Sequence, residues 1–184
     1  VAIANGEASN TFDGTTQINI AGGAVITNTF GIVTITATGG NRSNAAYLDF
    51  SGIGLGADTD VKTNVTSNNT VKVNIGKTGS SQAKITGKNV NIGATMGAFD
   101  VESNCRGQSS GAYAESTVYA FVTVNIHTWL DIDNAHITAY DDMNLTSNST
   151  PTSRGDHIAA ISYSRVTGLF GYVKSHSRIS GFGK

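Results

Sequence analysis

The chain has 184 residues, a formal net charge of -1 and a pI near 6.4, enough length to bury a core but no basic excess of the kind that marks a nucleic-acid binder. Its 12 Lys and Arg are scattered, no apolar run nears the ~20 residues of a spanning helix, and the single cysteine, Cys105, excludes an internal disulfide framework and a cysteine-based zinc cluster. Thr, Ser and Asn number 23, 18 and 17, and with 22 Gly they make up 80 of the 184 residues; set beside many Val and Ile and only 14% charged residues, this composition points to an all-β chain rather than a disordered one.

In chain order, "VAIANGEASNTF" (1–12) opens as a loose strand element, and the triplet Ile18-Asn19-Ile20 follows it. "AGG" at 21–23 predicts a turn. "AVITNTFGIVTITAT" (24–38) then carries the anchor Ile26 and the pair Val33/Ile35, and "TGG" at 38–40 predicts a second turn. A second loose element, "GIGLGADTDVKTNV" (52–65), leads to Val73/Ile75, and "AKITGKNVNIGAT" (83–95) repeats the anchor as Ile85 and the pair as Val90/Ile92. "TMGAFDVESNCRGQ" (95–108) is less regular. "VYAFVTVNIHTW" (118–129) is a third loose element; it precedes Leu130/Ile132 and "AHITAYDDMNLTSN" (135–148), with Ile137 and Met143/Leu145. "GLFGYVKSHSRIS" (168–180) is the fourth. The anchors lie 59 and 52 residues apart, so the chain reads as one repeat domain, 1–184, in units of approximately 1–38, 39–95, 96–148 and 149–184. No signal peptide opens it, and Val1 is not an encoded start, which suggests a processed product.

Each apolar-x-apolar triplet is a strand core of period two. The expected inward set is Ile18, Ile20, Ile26, Val33, Ile35, Val73, Ile75, Ile85, Val90, Ile92, Val124, Leu130, Ile132, Ile137, Met143 and Leu145. The middle, outward residue is Asn in five triplets, at 19, 74, 91, 125 and 144, and Asp131 takes that place in a sixth. Asn is a poor strand residue by propensity. Its recurrence predicts amide ladders running down a pile of parallel strands.

The chemical signals are sparse. "LDIDNAHITAYDDMNLTS" (130–147) gathers Asp131, Asp133, Asp141 and Asp142, but a calcium loop counted from Asp131 would have Ala135 at position five and His136 at the glycine position, and the stretch reads as one copy of the repeat. "NIGKTGSS" (74–81) has Val71 where a phosphate loop needs its first glycine. Ser81 and Lys84 have a hydrolase-like spacing with no companion motif. His127, His136, His157 and His176 show no metal-ligand spacing. Cys105 is read as an incidental thiol in a Ser/Gly loop, with Arg106 beside it to lower its pKa. Only "TITAT" (34–38) offers the T-x-T row of an ice-binding array. No catalytic, cofactor or metal residue is assigned, and no cofactor is expected.

The pattern A-x-I-T, a short loop, apolar-x-apolar, a small polar tail and a "GLFGY"-like strand is clearest in "NAHITAYDDMNLTSNSTPTSRGDHIAAISYSRVTGLFGYVKSHSRISG" (134–181). It resembles the leukotoxin- and haemagglutinin-type repeats of very large bacterial surface exoproteins, the filamentous adhesins. The resemblance implies a right-handed parallel β-helix with no catalytic motif. Stacking argues for the same architecture, because a lone triplet buries one face and is unstable by itself. Short stacked strands are expected, with two or three rungs of ~20–25 residues per unit; a β-sandwich is the rival fold. The implied function is a structural and adhesive segment of a secreted or cell-surface fibre. Its expected partners are carbohydrate or a host surface, neighbouring β-helix repeats, and other copies joined end to end, with no nucleic acid and no membrane insertion. The alternatives are a subunit of a self-polymerising extracellular filament, or a β-helix polysaccharide-active enzyme using Asp131 and Asp133 with Asp100 or Lys84.

Overall fold

Inward and outward side chains alternate through stretches far longer than the apolar triplets. A computed structural model describes residues 1–149 and 157–181, apart from the side chains at 41, 42 and 99; part of the 134–181 stretch, residues 150–156, thus lies outside the described residues. The chain forms β1 (Ala2–Ile20), β2 (Val25–Ile53), β3 (Gly56–Ile75), β4 (Ala83–Ser110), β5 (Tyr113–Ile132), β6 (Ala135–Ala139), β7 (Met143–Asn148), β8 (His157–Thr167) and β9 (Phe170–Gly181). Sheet A has the order β1-β3-β5-β9, and sheet B joins β2 to β4 and β4 in turn to β6, β7 and β8. Every strand pairing among the described residues is parallel, which excludes the sandwich of antiparallel hairpins and makes the chain a two-sheet parallel β-solenoid.

One coil is one strand of sheet A, a corner, one run of sheet B and a second corner. Ala2, Ala57, Ala114 and Gly171 stack on one another, so successive coils are 55, 57 and 57 residues long. The expectation of two or three short rungs per unit is therefore corrected. Each ~55-residue unit is a single turn, and its strands reach 29 residues in β2 and 28 in β4. The cause lies in the Thr- and Ser-rich stretches between the triplets, which keep the period-two alternation instead of turning. In β3 the inward positions pass from Ala57 through Thr59, Val61, Thr63, Val65 and Ser67 to Ile75. The inward hydroxyls find partners across the core: Thr59 Oγ1 lies 2.7 Å from Ser109 Oγ, and Thr63 Oγ1 lies 2.7 Å from Ser103 Oγ. A satisfied hydroxyl avoids the ~1–3 kcal/mol of an unpaired buried polar group. "TGG" at 38–40 is likewise no turn: it lies inside β2, where the register against β4 shifts between Gly39 and Asn41. "AGG" is a turn, with Gly23 at φ 84°.

The repeats stack as the anchors predict. Ile26, Ile85 and Ile137 form one column, as do Val33, Val90 and Met143. On sheet A, Ile18, Val73 and Leu130 align, and so do Ile20, Ile75 and Ile132. The main core is this apolar half of the solenoid, with Ile75, Ile85, Ile92 and Val73 fully enclosed. Each such side chain contributes roughly 1.5–3 kcal/mol by leaving water. Depth in the stack decides the rest: coil 2 is sandwiched, whereas Met143 and Leu145, inward on the outermost rung of sheet B, are each 45% exposed. A smaller cluster of Val61, Cys105, Val118 and Ala120 fills the other half. Cys105 is thus corrected from a loop thiol to a buried strand residue, and burial pushes its thiol pKa up instead of Arg106 lowering it.

Candidate functional site

Sheet A carries the site, because its outward columns bring together residues one whole coil apart. Asn19, Asn74 and Asp131 form one column, and Gln17, Lys72 and Trp129 form the next. Asn74 Nδ2 donates to Asn19 Oδ1 at 2.7 Å, and Gln17 Nε2 donates to the same oxygen at 2.6 Å. A second amide ladder runs from Asn125 to Asn68 at 2.8 Å and from Asn68 to Asp13 at 2.6 Å. The ladder expectation holds for these columns; Asn91 and Asn144 are also in register, on sheet B.

These columns floor a cleft of about 770 Å³. Trp129 stands beside it, and the corner after β3 closes the opposite side with Lys77 and Thr78. That corner needs glycine: Gly76 has φ 73°, and a Cβ there would meet Asn134 O at 2.2 Å. Lys77 forms an ion pair with Asp131. The hydrogen bond and the charge of Asp131 raise the Lys77 pKa, so its ammonium stays charged. Trp129 is 44% exposed, stacks on His127 at 5.4 Å with a 6° interplanar angle, and has Lys72 Nζ 4.4 Å from its ring centroid. One indole wall, a floor of preordered amides and two ammonium groups can hold a ligand that offers both C–H faces and many hydroxyls.

No protein-family model, curated protein or solved structure matches this chain.

The four enzymatic candidates divide between the two sheets, with Asp131 and Asp133 near Lys77, and with Lys84 and Asp100 on sheet B. Asp131 faces outward on sheet A with Lys77, and Asp133 follows in the corner, its N–H bonded to Ile75 O at 3.0 Å. Lys84 lies on sheet B in register with His136, and Asp100, also on sheet B, lies 3.4 Å from His157. Asp141 pairs with Lys88 at 3.4 Å in the loop beside β4, so the four acids of 130–147 divide between a sheet A column, a corner and a sheet B loop. No three metal-ligating side chains converge among the described residues. Thr34, Thr36 and Thr38 are exposed on β2, but the next coil offers Asn91, Gly93 and Thr95 in register, which breaks a T-x-T array. His127 and His176 occupy neighbouring strands of sheet A in different columns; His176 instead meets Tyr119, its register partner, edge-on.

Sequence reasoning passed over Trp129 and Lys72. The only local signal was the aromatic run "YAFVTVNIHTW"; their pairing depends on a 57-residue register. Asp131→Asn should change stability by no more than about 0.5 kcal/mol, because exposed ion pairs contribute little and Asn would extend the Asn19–Asn74 ladder. Urea denaturation checks this; a loss above ~2 kcal/mol would mean that the Lys77 pair holds the corner.

Proposed function

We propose that this chain is a structural and adhesive segment of a secreted or cell-surface fibre, related to the filamentous adhesins, and that the Trp129 cleft is its contact for carbohydrate. The observation that carries the reading is the indole wall set against an amide floor whose hydrogen bonds are already made. Rigid stacked coils hold such a face in fixed geometry, so little ordering entropy is lost when a ligand binds. Binding is favoured over hydrolysis because glycoside cleavage by the usual route uses two carboxyl groups. Asp131 is the one carboxylate among the residues lining the cleft, and it is engaged by Lys77.

Trp129 is the single tryptophan, so its emission reports directly on the cleft. Oligosaccharides titrated against the whole chain should perturb that emission, and calorimetry should show Trp129→Ala weakening binding by about tenfold or more, as for truncation of an aromatic anchor at the centre of a contact. The variant should keep its β-type circular dichroism, since Trp129 faces outward. Undiminished saccharide binding by Trp129→Ala would refute the assignment of the cleft.

A further inference from the structure

Charge on the outer face of sheet A is segregated along the strands. No acid occupies an outward position of β3 from Lys62 to Lys72, of β5 from Tyr119 to Trp129, or of β9 from His176 to Ser180. That strip instead holds Lys62, Lys72 and Arg178, and Lys174 reaches in from its border to lie over Tyr119. The acids of sheet A lie outside it: Asp58, Asp60 and Glu115 towards one end, Asp131 at the other, and Glu7 and Asp13 on β1. In a chain of net charge -1, this is a local inversion of sign.

The cations of the strip are held by rings more than by acids. Nζ of Lys72, Lys174 and Lys62 lies 4.4, 5.4 and 6.0 Å from the centroids of Trp129, Tyr119 and Phe121 respectively. Lys62 also pairs with Glu7 at 3.3 Å, but Lys72, Lys174 and Arg178 make no ion pair among the described residues. A ring orients an ammonium without neutralising it. The rings themselves come as two stacked pairs, Tyr119/Phe121 and His127/Trp129. The pairs are eight residues apart on one strand, a separation of ~26 Å at 3.3 Å per residue. Between them run Thr123 and the Asn125–Asn68 ladder.

Resting on the carbohydrate reading above, we infer that the ligand is a linear acidic glycan, a uronate-bearing chain lying along β5. Its C–H faces and hydroxyls meet the rings and amides, and its carboxylates meet the ammonium groups of Lys72, which has no ion-pair partner among the described residues, and of Lys174, which is hydrogen-bonded to the Tyr119 side chain. A neutral glycan would leave the Lys72 charge unanswered. A single-stranded nucleic acid suits the face less well. It needs a cationic groove along its whole backbone, whereas here the cations gather by the two ring pairs, Lys62, Lys174 and Arg178 at one and Lys72 at the other, with only Thr123 and the Asn125–Asn68 ladder between.

The test titrates the whole chain with oligogalacturonates of graded length, length-matched neutral oligosaccharides and a single-stranded oligonucleotide, read by calorimetry and Trp129 emission. The expected result is preference for the acidic oligomer, a marked rise in affinity once its length spans ~26 Å, and weakening as ionic strength rises from about 0.01 to 0.15 M. Lys72→Gln should cut acidic-oligomer affinity about tenfold, and by a clearly larger factor than it cuts neutral binding, as expected for loss of a charge-assisted contact; Lys84→Gln, on sheet B, should change neither. Equal binding of neutral and acidic oligomers would overturn the acidic assignment and leave the carbohydrate reading intact. Absence of any saccharide binding would overturn both. Tighter binding of the oligonucleotide would overturn the inference in favour of nucleic acid.

Discussion

Ile85→Ala is expected to lower unfolding stability by about 2–5 kcal/mol, the range for emptying a buried isoleucine site. Ile85 sits in the middle coil with no solvent exposure, between Ile26 above and Ile137 below in one column. The hole left by its truncation is walled by long strands paired on both sides, so the surroundings have little freedom to collapse. The same change at Ile137 is expected to cost less, because that residue is only partly buried on the outermost rung of sheet B. Thr86→Ala, one residue along, should have a small effect, since position 86 points outward in a period-two strand. Urea denaturation followed by far-ultraviolet circular dichroism measures all three. Equal losses at 85 and 86 would mean that the alternation is misread there. A solenoid can also unfold coil by coil, so a broadened transition with a lower m-value is expected to accompany the loss at Ile85.

Gly111→Ala is the second large effect, and it acts through the corner rather than the core. Gly54, Gly111 and Gly168 stack at the corner where sheet B hands over to sheet A. Gly54 N–H bonds to Ser110 O at 3.0 Å, and Gly111 N–H to Thr167 O at 2.9 Å. A Cβ on Gly111 would lie 1.9 Å from Gly54 O, and a Cβ on Gly168 would lie 2.0 Å from Gly111 O. The obstacle is backbone on both occasions, so no rotamer change relieves it. The corner must open, at a cost of about 1–3 kcal/mol by analogy with overpacking, plus any ladder bonds lost with it. Gly56→Ala is the control: the nearest atom to its added Cβ is Val1 Cγ2 at 3.9 Å, so stability should move by no more than about 0.5 kcal/mol. Thermal melts of both variants decide the point, and an undisturbed melting temperature for Gly111→Ala would contradict the stacked corner.

Much of the fold was legible because its code is local. Alternation of apolar and polar residues needs only neighbours two apart to agree, and the recurrence of A-x-I-T with its following pair marks the same place in successive coils. The inward columns of Ile26, Ile85 and Ile137, and of Ile18, Val73 and Leu130, follow from that pattern alone. So does the Asn19–Asn74 ladder, since an amide that recurs at the centre of a strand triplet has a like partner one coil away.

The length of the coil was not local. Thr and Ser are compatible with a strand or a turn, and only the opposite sheet decides between them: the inward hydroxyls of Thr59 and Thr63 stay in β3 because Ser109 and Ser103 face them from β4. The same long-range pairing buries Cys105 against Val118, a strand the local reading did not connect to it. The candidate site is the most non-local feature. Lys72 and Trp129 lie 57 residues apart and meet only because β3 and β5 are in parallel register. By itself the sequence determined the alternation, the repeat and the columns of like residues, since these are set by spacing along the chain. Only the tertiary structure decided how far each strand runs, which rung is covered, and which lysine lies over which ring, since each of these depends on which coil stacks on which and in what register.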